Sequence, residues 1–351
     1  MKRSRLFSVL LWVIPLLAAT AQAQTFPGEA WEHFGKPEDA GFSKAKLEEA
    51  RAFGDEIQTA ALTLVVDGKI VYEWGEVKRE FRTHSIRKSV LSAMYGNYVK
   101  AGAIELDKTL AELDINDVPP LTEAELQATV RDCLKARSGI YHPALYESDG
   151  MKALKPERYT QEAGTHWYYN NFDFNVAGTI FVQQTGKDLY QAIEDEIAKP
   201  IGMEGYTAAD GTYVEGEESI HRAYPFRISA HDLARFGWLM LNNGNWDGRQ
   251  VVPADWVAES TRYHSDAALY SVDGYGYMWW VARDHNKFPH FQNVELPEGT
   301  YSARGSGGHV LLVIPDYGMV IVHRADTDAE DKRIPYETVG SLVNMILSAR
   351  N

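Results

Sequence analysis

"ALTLVVDGKIVYEWG", Ala61 to Gly75, sets two β-rich runs on either side of Asp67-Gly68. An Asp-Gly pair tolerates the positive φ that a two-residue hairpin turn requires, so the stretch predicts antiparallel pairing early in the chain. The tail repeats the signature. "HVLLVIP" and "MVIVHR" flank Asp316-Tyr317-Gly318, and a helical pattern follows in "YETVGSLVNMILSA". Just upstream of the first hairpin, "SKAKLEEARAFG" reads as a helix capped by Ser43, with Leu47 and Ala50 on one face and Gly54 as its stop.

Strands thus gather at both ends of the chain, and the middle differs. From Leu91 to Asn243 the helical periods of "LYQAIEDEIAKPIG" and "SAHDLARFGWLMLNNG" alternate with loops rich in Gly, Pro and aromatics. The arrangement predicts an α/β (α+β) fold: an antiparallel sheet built from both chain ends, flanked by helices, with a mostly helical domain inserted. Residues 24–95 and 244–351 form the expected sheet domain and 96–243 the expected insertion. A cleft between the two parts is the default site.

The first residues, "MKRSRLFSVLLWVIPLLAATAQAQ", combine a cationic start, an apolar stretch from Leu6 to Ala19 and small residues at Ala21 and Ala23. That pattern predicts a secretory signal peptide over 1–23, cleaved after Ala23, and an exported protein in the periplasm or outside the cell. The apolar stretch is short and interrupted by Pro15, and no cysteine stands at the cleavage point, so no stable membrane anchor is expected. Cleavage removes three basic residues and shifts the net charge from −14 to −17, which argues against nucleic-acid partners. The single cysteine, Cys133, precludes an intramolecular disulfide and reads as core packing. The histidines show no metal-binding spacing, so neither a metal nor another cofactor is called for.

Chemistry concentrates in "THSIRKSVLSAMYG", Thr83 to Gly96, where Ser85 and Lys88 head an apolar helix. Residues three apart share a helix face, and the helix N-terminus favours a developing anion, so Lys88 is placed to take the Ser85 proton. To do so the lysine must spend time neutral, and burial between domains supplies the shift. The spacing alone is unspecific, because Ser43-Lys44-Ala45-Lys46 repeats it in a setting that reads as a plain cap. Two other segments add partners. Tyr169-Asn170-Asn171 lies where a loop gives way to a helix; a tyrosine beside a cationic lysine has its pKa lowered and joins a proton relay, and an asparagine amide holds a carbonyl. "YSARGSGGHVLLVIP" offers a glycine-rich strand edge that a substrate can approach closely.

This ordered set, S-I-R-K, Y-N-N and a late glycine-rich strand with "RSGIYH" between the first two, resembles the serine β-lactamase and penicillin-binding-protein superfamily. Its class C-like branch, with family VIII carboxylesterases and 6-aminohexanoate-dimer hydrolases, is the most similar; "SAHDLARFGWLMLNNG" and "GYGYMWW" also resemble that branch. The resemblance implies Ser85 as acylated nucleophile, Lys88 as its base, Tyr169 as proton carrier to the leaving group and activator of water, and Asn171 as orienter of Lys88 and substrate. It aligns the third motif to Ala303-Arg304-Gly305, with the Ser306 backbone N–H joining that of Ser85 in an oxyanion hole. The family's usual cation in that motif is replaced by Ala303, and strand alternation sends Arg304 to the opposite face. A serine hydrolase acting on a small ester, amide or peptide-like substrate is therefore expected, ahead of a β-lactamase or D-alanyl peptidase or a non-turnover sensor; nothing in the sequence sets the oligomeric state. His84 reads as a structural histidine. Trp167, Tyr168, Tyr275, Trp279 and Trp280 read mainly as core, with an acyl-pocket lining as the alternative.

Overall fold

The structure is a computed structural model that describes residues 25–267, 274–282, 291, 294–329 and 332–351; the expected signal peptide lies outside them. The strands are β1 (Thr59–Val66), β2 (Lys69–Gly75), β3 (Phe81–Arg82), β4 (Arg227–Ile228), β5 (Asn245–Trp246), β6 (Arg249–Gln250), β7 (Ser265–Asp266), β8 (Gly274–Tyr275), β9 (Trp280–Val281), β10 (Tyr301–Gly305), β11 (His309–Ile314) and β12 (Met319–Ala325). The α-helices are α1 (Lys44–Glu56), α2 (Ile86–Lys100), α3 (Val130–Leu134), α4 (Asp149–Leu154), α5 (Asn171–Thr185), α6 (Leu189–Ile193), α7 (Ala230–Leu241), α8 (Ala254–Thr261) and α9 (Tyr336–Ser348).

Asp67 (φ 49°) and Gly68 (φ 78°) both adopt positive φ, and this primed turn closes the β1–β2 hairpin. β1 then pairs with the last strand, β12, so the two chain ends meet in one antiparallel sheet ordered β2-β1-β12-β11-β10-β9-β8-β7. One face carries Leu62, Leu64, Leu312 and Ile321, buried against Leu47 and Ala50 of α1 and Leu342, Val343 and Ile346 of α9. The other face, with Val65, Leu311, Val320 and Val322, joins the core that surrounds α2, α5 and α7.

Two local expectations change in the fold. Gly54 does not stop α1, which runs on to Glu56; a Cβ on Gly54 would stand 2.7 Å from the Trp74 ring, so the glycine admits a close approach of helix to sheet. Helix α7 falls within the range read as the helical insertion, yet it packs on β1, β11 and β12. Its Gly237 is the contact point, where a Cβ would lie 2.6 Å from Leu311 and 2.7 Å from Val320 side-chain carbons. Periodicity reveals that α7 has an apolar face but not which surface covers it.

Candidate active site

The site is built around the start of α2. Eleven consecutive residues, Ile86 to Gly96, are buried, so this helix is surrounded on all sides rather than resting on a surface. Its N-terminus is reached through Thr83, whose backbone N–H and hydroxyl both donate to the Phe226 carbonyl (2.9 Å each). Ser85 occupies the N-cap position but makes no side-chain cap bond. Ser43, the decoy with the same spacing, does cap: its Oγ accepts from Lys46 N (3.4 Å), and the Lys46 amine goes off to the Ser348 carbonyl. The hydroxyl of Ser85 is instead engaged by Lys88.

Lys88 Nζ lies 3.0 Å from Ser85 Oγ and 3.0 Å from Tyr169 Oη, over the rings of Tyr169 and Phe174 (4.2 and 4.4 Å). The side chain is 1 % exposed. Burial first, and the neighbouring charge of Arg87 second, push its pKa well below that of an ordinary lysine, against a smaller opposing pull from Glu147.

Tyr169 departs from the sequence reading. Burial pushes its phenol up to about 12; the bond to Ser85 and the charges of Arg87 and Arg304 offset this only in part. The expected lowering required a lysine cation, whereas burial disfavours the charged form of Lys88. The ring stacks on Trp280 (5.2 Å, 23° between planes) and meets Tyr275 edge-on; Trp167 in turn packs on Tyr275 and Trp280. Trp167, Tyr275 and Trp280 are thus the buried packing that orients Tyr169. Trp279 packs elsewhere, on Phe236 and Tyr301, and Tyr168 donates to the Met151 carbonyl.

The segment carrying Tyr169 is pinned by a buried clasp that sequence reasoning missed. Asp173 accepts from Ser138 Oγ (2.5 Å), Ser138 N (3.2 Å) and Asn170 Nδ2 (2.7 Å). Burial pushes its carboxyl up to about 8, with the Ser138 bonds pulling the other way. Asn170 also caps α5 and donates to the Ile140 carbonyl (2.7 Å). The only local sign was the Asn170-x-x-Asp173 spacing; Ser138 lies 35 residues away.

Asn171 does not orient Lys88. Its Nδ2 donates to the carbonyls of Tyr146 (2.6 Å) and Leu145 (3.4 Å), and its buried Oδ1 has no hydrogen-bond partner among the described residues. One helical residue past the N-cap, its amide points back to the loop before α4 rather than across to α2.

From the sheet side, β10 ends against the approach to Ser85. A Cβ on Gly305 would lie 2.5 Å from the Thr83 carbonyl oxygen and 3.3 Å from His84 Cβ, so only glycine fits there. Ser306 follows, exposed in the turn to β11, with its Oγ accepting from Arg333 (2.8 Å). Ala303 is buried in the core around α2. Arg304 points the other way, Nε to Ser302 Oγ (3.1 Å) and guanidinium over Phe291 (4.5 Å), as strand alternation requires. His84, the residue before Ser85, is buried and bonded through Nε2 to Thr327 Oγ1 (2.7 Å), which also meets His309 Nε2 (3.0 Å). Burial and four surrounding arginines lower its pKa to about 4. Cys133 is a buried core thiol whose pKa burial drives well up.

The Beta-lactamase family model matches residues 45–336. A Bacillus anthracis protein assigned as a 6-aminohexanoate-dimer hydrolase superposes with a TM-score of 0.63 at 23 % identity, covering 85 % of this chain and 80 % of that one. A β-lactamase from Mycobacterium bovis gives 0.62 at 17 % identity (86 % and 98 %), and EstCE1, a hydrolase with promiscuous acyltransferase activity, 0.63 at 12 % identity (89 % and 98 %). An uncharacterised protein of Alkalihalophilus pseudofirmus is 20 % identical over 259 residues, 69 % of this chain and 72 % of its own length. With the family model spanning most of its length and the sheet, helices and strand order described above, the chain belongs to the beta-lactamase family and has the fold of serine β-lactamases, penicillin-binding proteins and their hydrolase relatives.

Proposed function

We propose that this beta-lactamase-family hydrolase cleaves a small ester or amide through an acyl-enzyme on Ser85. The observation that carries the reading is the position of the buried Lys88 amine, 3.0 Å from both the Ser85 and Tyr169 oxygens. A neutral Lys88 takes the Ser85 proton as Oγ attacks the substrate carbonyl. Negative charge develops on the carbonyl oxygen near the N-terminus of α2, where the backbone N–H of Ser85 and that of Ser306 stabilise it. Tyr169, still protonated at neutral pH, passes its proton to the leaving group and recovers one through Lys88. In deacylation the same pair draws a proton from water. Asn171 contributes by fixing the Tyr146 carbonyl, and so the loop beside the site, rather than by touching Lys88.

Ala303 leaves the third motif without a cation on the α2 side, which favours a substrate with no essential carboxylate over a β-lactam or a D-alanyl peptide. Of the similar structures, the 6-aminohexanoate-dimer hydrolase and EstCE1, a hydrolase with promiscuous acyltransferase activity, support that choice, and the Mycobacterium bovis β-lactamase supports the alternative. Export rests on the leader sequence of 1–23, and the mass of the protein recovered from a bacterial envelope fraction tests it: a chain retaining residues 1–23 refutes cleavage.

The test of the catalytic reading incubates the protein and Ser85→Ala with p-nitrophenyl butyrate, nitrocefin and a fluorophosphonate probe. Ester turnover and single labelling, both lost in Ser85→Ala, are expected. Undiminished labelling of Ser85→Ala refutes the nucleophile. Labelling without ester turnover assigns the protein as a covalent sensor, and rapid nitrocefin hydrolysis returns it to the β-lactamases.

A further inference from the structure

His84 takes φ 45°, a left-handed conformation that a residue with a side chain holds only where its surroundings fix it. The fixing groups come from the far end of the chain. The His84 ring packs against that of His309 at the start of β11 (5.1 Å between centroids) and bonds to Thr327 Oγ1 in the loop after β12 (2.7 Å). Thr327 Oγ1 also meets His309 Nε2 (3.0 Å), and His309 Nδ1 receives Arg324 Nε (3.0 Å). The direction of these bonds follows from the guanidinium, which cannot accept. His309 Nδ1 is therefore the acceptor, and the neutral ring carries its proton on Nε2, from which it donates to Thr327 Oγ1. The threonine hydrogen is left with His84 Nε2 as its acceptor among the described residues. Arg324 is buried, and its other nitrogens donate to the Ile228, Phe81 and Arg82 carbonyls (3.0 Å each), so the donor at the head of the chain is anchored on β3 and β4.

One end of this chain is the approach to Ser85; the other is the β10–β11 turn at 306–308, which carries Ser306 and is closed by His309. The turn is seated tightly on the same groups. A Cβ on Gly305 would lie 3.1 Å from His309 Cβ and 3.3 Å from His84 Cβ, and one on Gly307 would strike Thr327 Cγ2. We propose that Thr327 is a positioning residue for acylation: its hydroxyl, accepting from His309 and donating to His84, pins the turn that carries Ser306 to the segment that carries Ser85. The two backbone N–H donors of the oxyanion hole are thereby held at a fixed separation. This rests on the reading of Ser85 as the nucleophile with Ser306 as the second oxyanion donor. Such a hole works only while both donors meet the developing charge, and a misplacement of about 1 Å costs about 10²-fold. Apolar packing is non-directional and does not replace a hydroxyl bonded to both segments.

The experiment measures kcat and KM for p-nitrophenyl butyrate, the rate of fluorophosphonate labelling and the melting temperature in the full chain, Thr327→Val and Thr327→Ser. Valine keeps the shape of threonine, including the methyl against Gly307, and removes only the hydroxyl. Serine keeps the hydroxyl and removes the methyl. Thr327→Val is expected to lose about 10- to 10²-fold in kcat and in labelling rate with KM within about twofold of wild type, because the hole acts on the developing charge rather than on the bound ester. Thr327→Ser should recover kcat to within about threefold of wild type, since it restores the bonded oxygen. Wild-type kcat in Thr327→Val overturns the proposal, whatever its melting temperature, and so does a Thr327→Ser that loses as much as the valine variant. Should Thr327→Val fail to fold, Thr327→Ala against Thr327→Ser makes the same comparison, and equal kcat in the two overturns the proposal. Fluorophosphonate labelling that survives in Ser85→Ala refutes the nucleophile itself, so the two failures are told apart.

Discussion

Replacing Lys88 with methionine separates the chemistry of this residue from its packing. The thioether has nearly the same reach, suits the apolar surroundings of Phe174 and Tyr169, and cannot accept a proton. Loss of a general base should reduce acylation at least about 10²-fold. The sharper consequence concerns stability. In the unfolded chain Lys88 titrates near 10.4, whereas burial and Arg87 hold its folded pKa well below that. Between the two values the unfolded state binds the extra proton, so wild-type stability falls as the pH drops from about 10 towards the folded pKa, by about 1.4 kcal/mol per pH unit from this residue alone. Lys88→Met has no such slope. It forfeits the contacts to Ser85 and Tyr169, each worth about 1 kcal/mol. Its handicap should therefore be largest near pH 10 and should shrink, or reverse, by about 1.4 kcal/mol for each unit descended. Urea unfolding of both proteins at pH 8.5 and 9.5 measures the difference. A difference that stays constant means Lys88 keeps its proton in the fold, and its role as base is then refuted.

Three further perturbations address other parts of the site. His84 has its pKa lowered to about 4 against about 6.5 unfolded, so it contributes stability above pH 6.5 that is lost as the pH falls towards 4; His84→Gln should flatten the melting temperature over that window, and an unchanged slope refutes the assignment. Asp173→Ala strips the acceptor from two Ser138 donors and from Asn170, which should lower stability by about 3 kcal/mol or more in urea unfolding and slow acylation by displacing Tyr169; an unchanged midpoint refutes the clasp. Gly305→Ala drives a methyl into the Thr83 carbonyl at 2.5 Å, so it should cost about 1 to 3 kcal/mol and at least about tenfold in ester turnover, and wild-type turnover would show that β10 does not abut the approach to Ser85.

The frame of the fold was legible because its signals are local. Asp67-Gly68 closes its hairpin with both φ values positive, and the two tail strands are separated by Gly318 at φ 56°, so four sheet strands could be located from turn chemistry and alternation alone. Leu47 and Ala50 were legible for the same reason, as one face of a helix that had to meet something apolar. What each face met was not local. Gly54 looked like a helix stop because glycine breaks helices, whereas the constraint comes from Trp74 across the sheet; α7 looked like part of the insertion because it follows it in the chain, whereas Gly237 lets it settle on β11 and β12.

The same distinction explains which site residues the sequence could weigh correctly. Ser43 and Ser85 have identical spacing to a lysine, and the difference between a cap and a candidate nucleophile arises from the burial of the lysine, a property of everything around α2. Lys88 meets Tyr169 across 81 residues of sequence, and the tyrosine's pKa rises because the phenol is buried there. A sequence reading that assumes a lysine cation infers a lowered phenol; burial of the phenol reverses the inference. The two residues are therefore coupled through one proton. If Lys88 were charged in the fold it could not accept the Ser85 proton, the step proposed for it, whereas Tyr169 would stay protonated at neutral pH even at the ordinary phenol pKa of about 10.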